Sequence, residues 1–186
     1  NAAHYRRLRS QLGQKDRFLE GYIASGRYLP TMEKIFAAEG LPWELTRLPF
    51  VESSFNLAAR SKVGASGIWQ FMRSTGRLYL KIRGELDERN DPIRATEAAA
   101  RLLRTNYEAL GNWPLAVTAY HGRMGLMRAV RQVGSNRLEE LMTGYRARSF
   151  GFASQNFFTC LLAALEVERD AATSDRNTGG YVESVH

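Results

Sequence analysis

One stretch in the middle of the chain limits the fold before anything else does. Asp91-Pro92 is a helix start, a capping carboxylate followed by proline at the first helical position, and Gly111 is a stop. Between them Ala95, Ala98, Ala99, Leu102 and Leu103 recur at helical spacing. The same grammar runs through the rest of the chain. Residues 2 to about 25 predict a helix with Leu8, Leu12, Phe18, Leu19, Tyr22 and Ile23 on one side, interrupted at Gly26. Pro30-Thr31 predicts a second helix, capped by Thr31, ended by Gly40, and carrying Met32, Ile35 and Phe36 inward. A third starts at Leu41-Pro42-Trp43-Glu44, with Glu44 at the positive end of the dipole, and is kinked or restarted at Pro49.

Further along, residues 56–66 predict a loop ending in Gly64-Ala65-Ser66-Gly67, and residues 68–79 a helical or turn-like run. Residues 87–91 predict a charged turn. Trp113-Pro114 opens a helix that Gly122 and Gly125 break, and short helices follow over 126–133 and 138–142. A final amphipathic helix over 154–170 is built on Phe157, Phe158, Leu161, Leu162 and Leu165. No segment pair alternates with a period of two, so no strand pair is expected. The fold class is all-α.

Composition narrows the functional classes. The 186 residues are 44% hydrophobic and 24% charged, which suits one globular domain. No apolar run reaches bilayer-spanning length. Asn1 rather than methionine opens the chain, as in a processed or excised piece, from which any export signal would be lost. Cys160 stands alone, which excludes an internal disulfide and a cysteine-based zinc site, and its apolar surroundings predict buried packing. The histidines at 4, 121 and 186 have no metal-ligand spacing, so neither metal nor cofactor is expected. The net charge of +7 suits a polyanion, but no nucleic-acid-binding motif accompanies it. Binding to nucleic acid would rest on charge alone.

Glu52 is the one acid in a setting that looks tuned. It ends the third helix beside Leu48 and Val51, where apolar neighbours and the negative end of the helix dipole both favour the protonated form. A held proton is what a general acid requires. Glu85, Asp87, Glu88 and Asp91 lie instead in a polar segment where solvation or capping accounts for them.

The residues around Glu52 carry a resemblance. Glu52-Ser53-Ser54-Phe55-Asn56, Ala59-Arg60-Ser61 and the run from Gly64 through Ile68-Trp69-Gln70-Phe71-Met72 resemble the catalytic core of lytic transglycosylases, relatives of goose-type lysozyme. Leu41-Pro42, Glu44-Leu45, Thr96-Glu97-Ala98-Ala99 and the turn before Pro92 are similar to the murein transglycosylase D type. The resemblance covers roughly residues 28–170. It implies a lysozyme-like helical domain with a sugar-binding groove, preceded by an N-terminal helical extension over 1–27 and followed by a flexible tail over 171–186.

The resemblance also implies a reaction carried by one carboxyl group. Glu52 would protonate the glycosidic oxygen between N-acetylmuramic acid and N-acetylglucosamine, assisted by the acetamido oxygen. The resulting carboxylate would then take the proton of the C6 hydroxyl, which closes on C1 as a 1,6-anhydro ring. By match, Ser61 lies near the acetamido group, Gln70 and Met72 line the groove, and Tyr120 approaches the acid. Gly64 and Gly67 would let backbone approach the saccharide. Without the match, Ser61 reads as a turn cap, Gln70 as a surface amide, and Trp69, Met72 and Tyr120 as core.

One departure stands out. The family pattern is Ala-Tyr-Asn, one further residue, then Gly, whereas this chain reads Ala119-Tyr120-His121-Gly122. His121 is therefore either a replacement contact to the sugar or a solvent-facing loop residue. The alternatives left open are hydrolysis as in a lysozyme, action on N-deacetylated glycan, and glycan binding without catalysis. The expected partner is peptidoglycan, the expected site the periplasm or cell envelope, and the expected state a monomer.

Overall fold

The computed structural model describes residues 2–145 and 152–179, with side chains described over 17–145 except Phe18, and over 156–173. Helix α1 spans Ala2–Ala38. A 3₁₀ turn over Trp43–Arg47 leads into α2, Leu48–Ser53, and α3 is the single turn Arg73–Gly76. Strands β1, Ile82–Arg83, and β2, Leu86–Asp87, form an antiparallel hairpin, followed by a 3₁₀ turn at Glu88–Asn90. Helices α4, Pro92–Leu110, α5, Trp113–Val133, α6, Leu138–Gly144, and α7, Phe152–Gly179, complete the described chain. The architecture is all-α, as the sequence predicts.

Helix α4 is the centre of the packing and lies against α1 and α5. Its start is the predicted one: the Asp91 carboxylate accepts from the amides of Ile93 and Arg94 at 2.9 and 3.0 Å. It ends at Gly111 in the left-handed conformation, φ 78°. Ala95, Ala98, Ala99 and Ala100 are fully buried, and such small residues bring neighbouring elements close. Over them lies the main core, in which Met32, Phe36, Leu48, Phe55, Ile68, Trp69 and Leu103 have at most 1% exposure. Each such large side chain contributes about 1.5–3 kcal/mol on burial. A second cluster of Leu115, Leu126, Ala129, Leu141 and Tyr145 fastens α6 to α5.

Five expectations are corrected. Gly26 and Pro30-Thr31 do not divide two helices; α1 runs through them. An internal proline costs about 3 kcal/mol. Its ring crowds the carbonyl four residues back, here Gly26, which has open space around it, and burial of Met32 and Phe36 just beyond offsets the cost. A strand pair does exist, though two residues long, with its turn at Gly84-Glu85. It is too short for period-two alternation to show.

Cys160 is exposed, not buried, because the inward stripe of α7 is Phe157 and Leu161 and Cys160 falls on its flank. Helix α7 also continues to Gly179, past Ala171, where a loose tail was expected; residues 171–178 contain neither glycine nor proline to stop it. Residues 180–186 lie outside the described residues, as do the side chains of Leu8, Leu12, His4 and His186. Gly122 kinks α5 as predicted, with φ −154° and ψ 59°, but Gly125 is buried and helical. Packing there outweighs the roughly 1 kcal/mol that a helical glycine costs.

Candidate active site

Glu52 sits one residue before the end of α2, its side chain 11% exposed. The chain then reverses through two consecutive left-handed residues, Ser54 at φ 50° and Phe55 at φ 56°. Each costs on the order of 1–3 kcal/mol in a non-glycine residue. Several things hold them. The amides of Ser54 and Phe55 donate back to Phe50 and Pro49 carbonyls at 3.1 and 3.0 Å. Phe55 is fully buried, packed on Tyr28 and Phe50. Gly21 of α1 makes the approach possible, since a Cβ there would lie 1.9 Å from the Ser54 carbonyl oxygen. This reversal was not legible in the sequence, where Ser-Ser-Phe carries no turn signal. Its effect is to fix Glu52 at a sharply ended helix.

The glycine-bearing segment forms one side of the site. Residues 60–71 fold back on themselves through bridges between Arg60 and Ser66 and between Ser66 and Phe71. Ser61 closes the turn twice: its amide donates to the Ala65 carbonyl and its Oγ accepts from the Ala65 amide, both at 2.9 Å. Gly67, at φ 78°, has no room for a side chain, because a Cβ would lie 1.8 Å from the Arg89 carbonyl oxygen. The missing side chain therefore faces protein, whereas that of Gly64 faces open space. Gln70 is itself left-handed, φ 50°, and its amide donates to the Gly67 carbonyl at 2.8 Å. Met72 is 41% exposed at the end of the segment. Ser53 ties the segment to α2, its Oγ lying 2.9 Å from the Ile68 carbonyl.

Trp69 joins the segment to three helices. Its ring stacks on Phe36 at 5.8 Å, its indole nitrogen donates to Thr96 Oγ1 at 2.9 Å, and its carbonyl accepts from the Tyr120 hydroxyl at 2.8 Å. Burial and the Glu52 charge push the Tyr120 phenol well above its ordinary value, so it remains a donor. The hydroxyl expected to approach the acid is thus committed to backbone, while the acid is close enough to act on it electrostatically.

Arg89 is the residue that sequence reasoning missed. It is 4% exposed and donates to the carbonyls of Gly64 and Phe71 at 2.8 and 3.0 Å, so it spans both ends of the glycine segment. Asp87 holds it in a two-point ion pair at 2.6 and 2.9 Å. That contact in turn keeps the Asp87 carboxyl below its ordinary value. The signal lay in a charged turn that read as solvated.

Helix α5 also borders Glu52. His121 directs Nδ1 at Glu52 Oε1 from 3.9 Å, and its ring stacks on Phe157 of α7 at 4.8 Å. Contact with Glu52, opposed by partial burial, raises the imidazole above its ordinary value. The structure brings His121 to within 3.9 Å of Glu52, keeps Tyr120 close enough for the Glu52 charge to act on it, and carries Ser61, Gly64, Gly67, Gln70 and Met72 on or at the end of the segment that Ser53 ties to α2. A cavity of about 740 Å³ lined by Ser53, Ser54, Phe55 and Asn56 opens on the far side of the same reversal, against Gly21 and Ala24. Among the described residues no group of three or more His, Cys, Asp or Glu side chains could hold a metal ion.

The all-α architecture, with a carboxyl group nearly enclosed at a helix end, is that of a lysozyme-like domain. Residues 33–149 match the family described as Transglycosylase SLT domain, and the chain belongs to that family. It is 32% identical over 133 residues to the membrane-bound lytic murein transglycosylase D of Escherichia coli (strain K12), and equally to that of Escherichia coli O6:H1. That match covers 70% of this chain and 29% of the relative in each case. It is also 32% identical over 96 residues to a putative tributyltin chloride resistance protein of Alteromonas sp. (strain M-1), covering 50% of this chain and 46% of that protein. The chain thus spans less than a third of the length of the murein transglycosylases it matches.

Proposed function

We propose that this domain is a peptidoglycan lytic transglycosylase in which Glu52 is the sole acid and base. The observation that carries the reading is the placement of Glu52, nearly enclosed at the end of α2 within the region that matches the transglycosylase family. Glu52 would hand its proton to the oxygen joining N-acetylmuramic acid to N-acetylglucosamine as the C1–oxygen bond breaks. The acetamido oxygen would shield the developing charge at C1. Glu52 would then accept the C6 hydroxyl proton as that oxygen closes on C1, leaving the carboxyl as it began and consuming no water. Ser61, Gln70 and Met72 would line the strand's path, and Tyr120 would brace Trp69 behind the acid. Action in the periplasm or cell envelope, as a monomer, belongs to the same reading.

A second reading is hydrolysis at the same site, favoured by His121 where the family pattern has asparagine. Mass spectrometry of muropeptides separates the two, since the anhydro product is lighter by one water. Glu52→Gln should keep the fold and lower cleavage by roughly 100- to 10,000-fold, the range a positioned general acid supplies. Undiminished cleavage in that variant contradicts both readings.

A further inference from the structure

We propose that the face of α4 turned towards α3 and β1 holds a binding site for a phosphate group, separate from Glu52. The start of α4, the end of the α3 turn and the chain entering β1 border a cavity of about 370 Å³. Arg77, Lys81, Arg94 and Arg101 line it, opposed by Glu88 and Glu97. The lining therefore carries two positive charges in excess, and Glu52 is not part of it. The inference stands whether or not Glu52 cleaves glycan.

Both carboxylates are already engaged. Glu97 pairs with Arg94 at 3.1 Å. Glu88 accepts from the Lys81 backbone amide at 2.7 Å, and its own amide donates to the Lys81 carbonyl at 3.1 Å, which leaves the Lys81 ammonium out of that pairing. Among the described residues Arg77, Lys81 and Arg101 form no ion pair. Arg101 is nevertheless held. It donates through Nε to the Glu97 carbonyl at 3.3 Å and through Nη2 to the Tyr79 carbonyl at 3.5 Å, and it lies over the Tyr79 ring, 5.9 Å from its centre. Such contacts orient a guanidinium without cancelling its charge. The amides of Tyr79 and Leu80 are tied in turn to the Gly76 carbonyl at 3.0 and 2.8 Å.

The other flank of the same helix face supplies a contrast. A second cavity, of about 440 Å³, shares Arg94, Glu97 and Arg101 but is completed by Ile35, Ala38 and Glu39 at the end of α1. Its charges balance. The excess is therefore confined to the α3 side. A carboxylate would bring one charge and two oxygens there. A phosphate monoester brings three free oxygens and about −1.5 to −2 charges at pH 7, which matches the excess. Guanidinium forks meet such an anion with parallel hydrogen bonds, and the Lys81 ammonium adds a point charge.

The experiment is an NMR titration of the whole chain, with inorganic phosphate and separately with glycerol 3-phosphate, at an ionic strength held constant with chloride. Saturable amide shifts should centre on residues 77–81 and 94–101. Arg77→Ala, Lys81→Ala and Arg101→Ala should each weaken binding by about tenfold, the loss expected for one charge-assisted contact. All three residues are exposed, so the fold should persist in the variants. Arg128→Ala removes the same charge from an exposed position on α5 and should leave the affinity unchanged. Tighter binding of glycerol 3-phosphate identifies a phosphate ester as the ligand and tighter binding of inorganic phosphate the free ion; either supports the site. No saturable shift with either probe overturns it. So does an Arg128→Ala loss equal to that of Arg101→Ala, which would show attraction to the overall charge rather than to this cavity.

Discussion

The two sides of the Glu52 site are built on opposite terms. The segment 60–71 is fastened by backbone bridges, by Ser61, by Gln70, and by a buried arginine that bonds both its ends. The α5 side meets the acid through a kinked backbone, one hydroxyl bonded to a carbonyl, and a stacked imidazole 3.9 Å away. The first side is a fixed floor. The second approaches the acid through side chains, His121 at 3.9 Å among them. Backbone ties fasten one side of Glu52, and side-chain contacts bring the other side to it.

That contrast makes graded predictions. Gly67→Ala should be the most damaging, because the methyl meets backbone at 1.8 Å and the residue must keep φ 78°. A loss of about 4 kcal/mol or more is expected, enough to lower Tm by roughly 8 °C, measurable by calorimetry. Arg89→Met should come next, at about 3 kcal/mol, since it strands a buried carboxylate and two carbonyls. Chemical denaturation measures it, and a loss under 1 kcal/mol would mean the floor does not depend on this tie.

The same pair predicts an acid response. Arg89 holds the Asp87 carboxyl below its ordinary value of 3.8, so the ion pair's contribution is fully present above that pH. It is lost only as pH falls through the lower folded value. Stability of Asp87→Asn should therefore approach that of the wild type below pH 3.8 and trail it above. On the α5 side the effect should be smallest: Tyr120→Phe removes one hydrogen bond to the Trp69 carbonyl and should cost about 1 kcal/mol. A much larger loss would show that this side is as fixed as the other.

How far the sequence reached follows from the same physics. The capped start of α4, its left-handed glycine end, the restart at Pro49 and the kink at Gly122 are local events, written in the residues that perform them. The candidate site residues were named from a spaced pattern around Glu52. What escaped depended on partners distant in the chain. Arg89 reads as one charge among several until its carbonyl partners 25 and 18 residues earlier are in place. The left-handed Ser54 and Phe55 exist only because Gly21 leaves room and the core receives Phe55. Pro30 is tolerated because of what is buried just after it. Cys160 was misplaced because an apolar run does not say which of its faces turns inward.

The central claim is that one carboxyl group, Glu52, performs both proton transfers. Purified peptidoglycan digested by the wild type and by Glu52→Gln, with the soluble muropeptides weighed by mass spectrometry, tests it most directly. The account predicts 1,6-anhydro products from the wild type and essentially none from a folded Glu52→Gln. Anhydro products released by Glu52→Gln at the wild-type rate would contradict it.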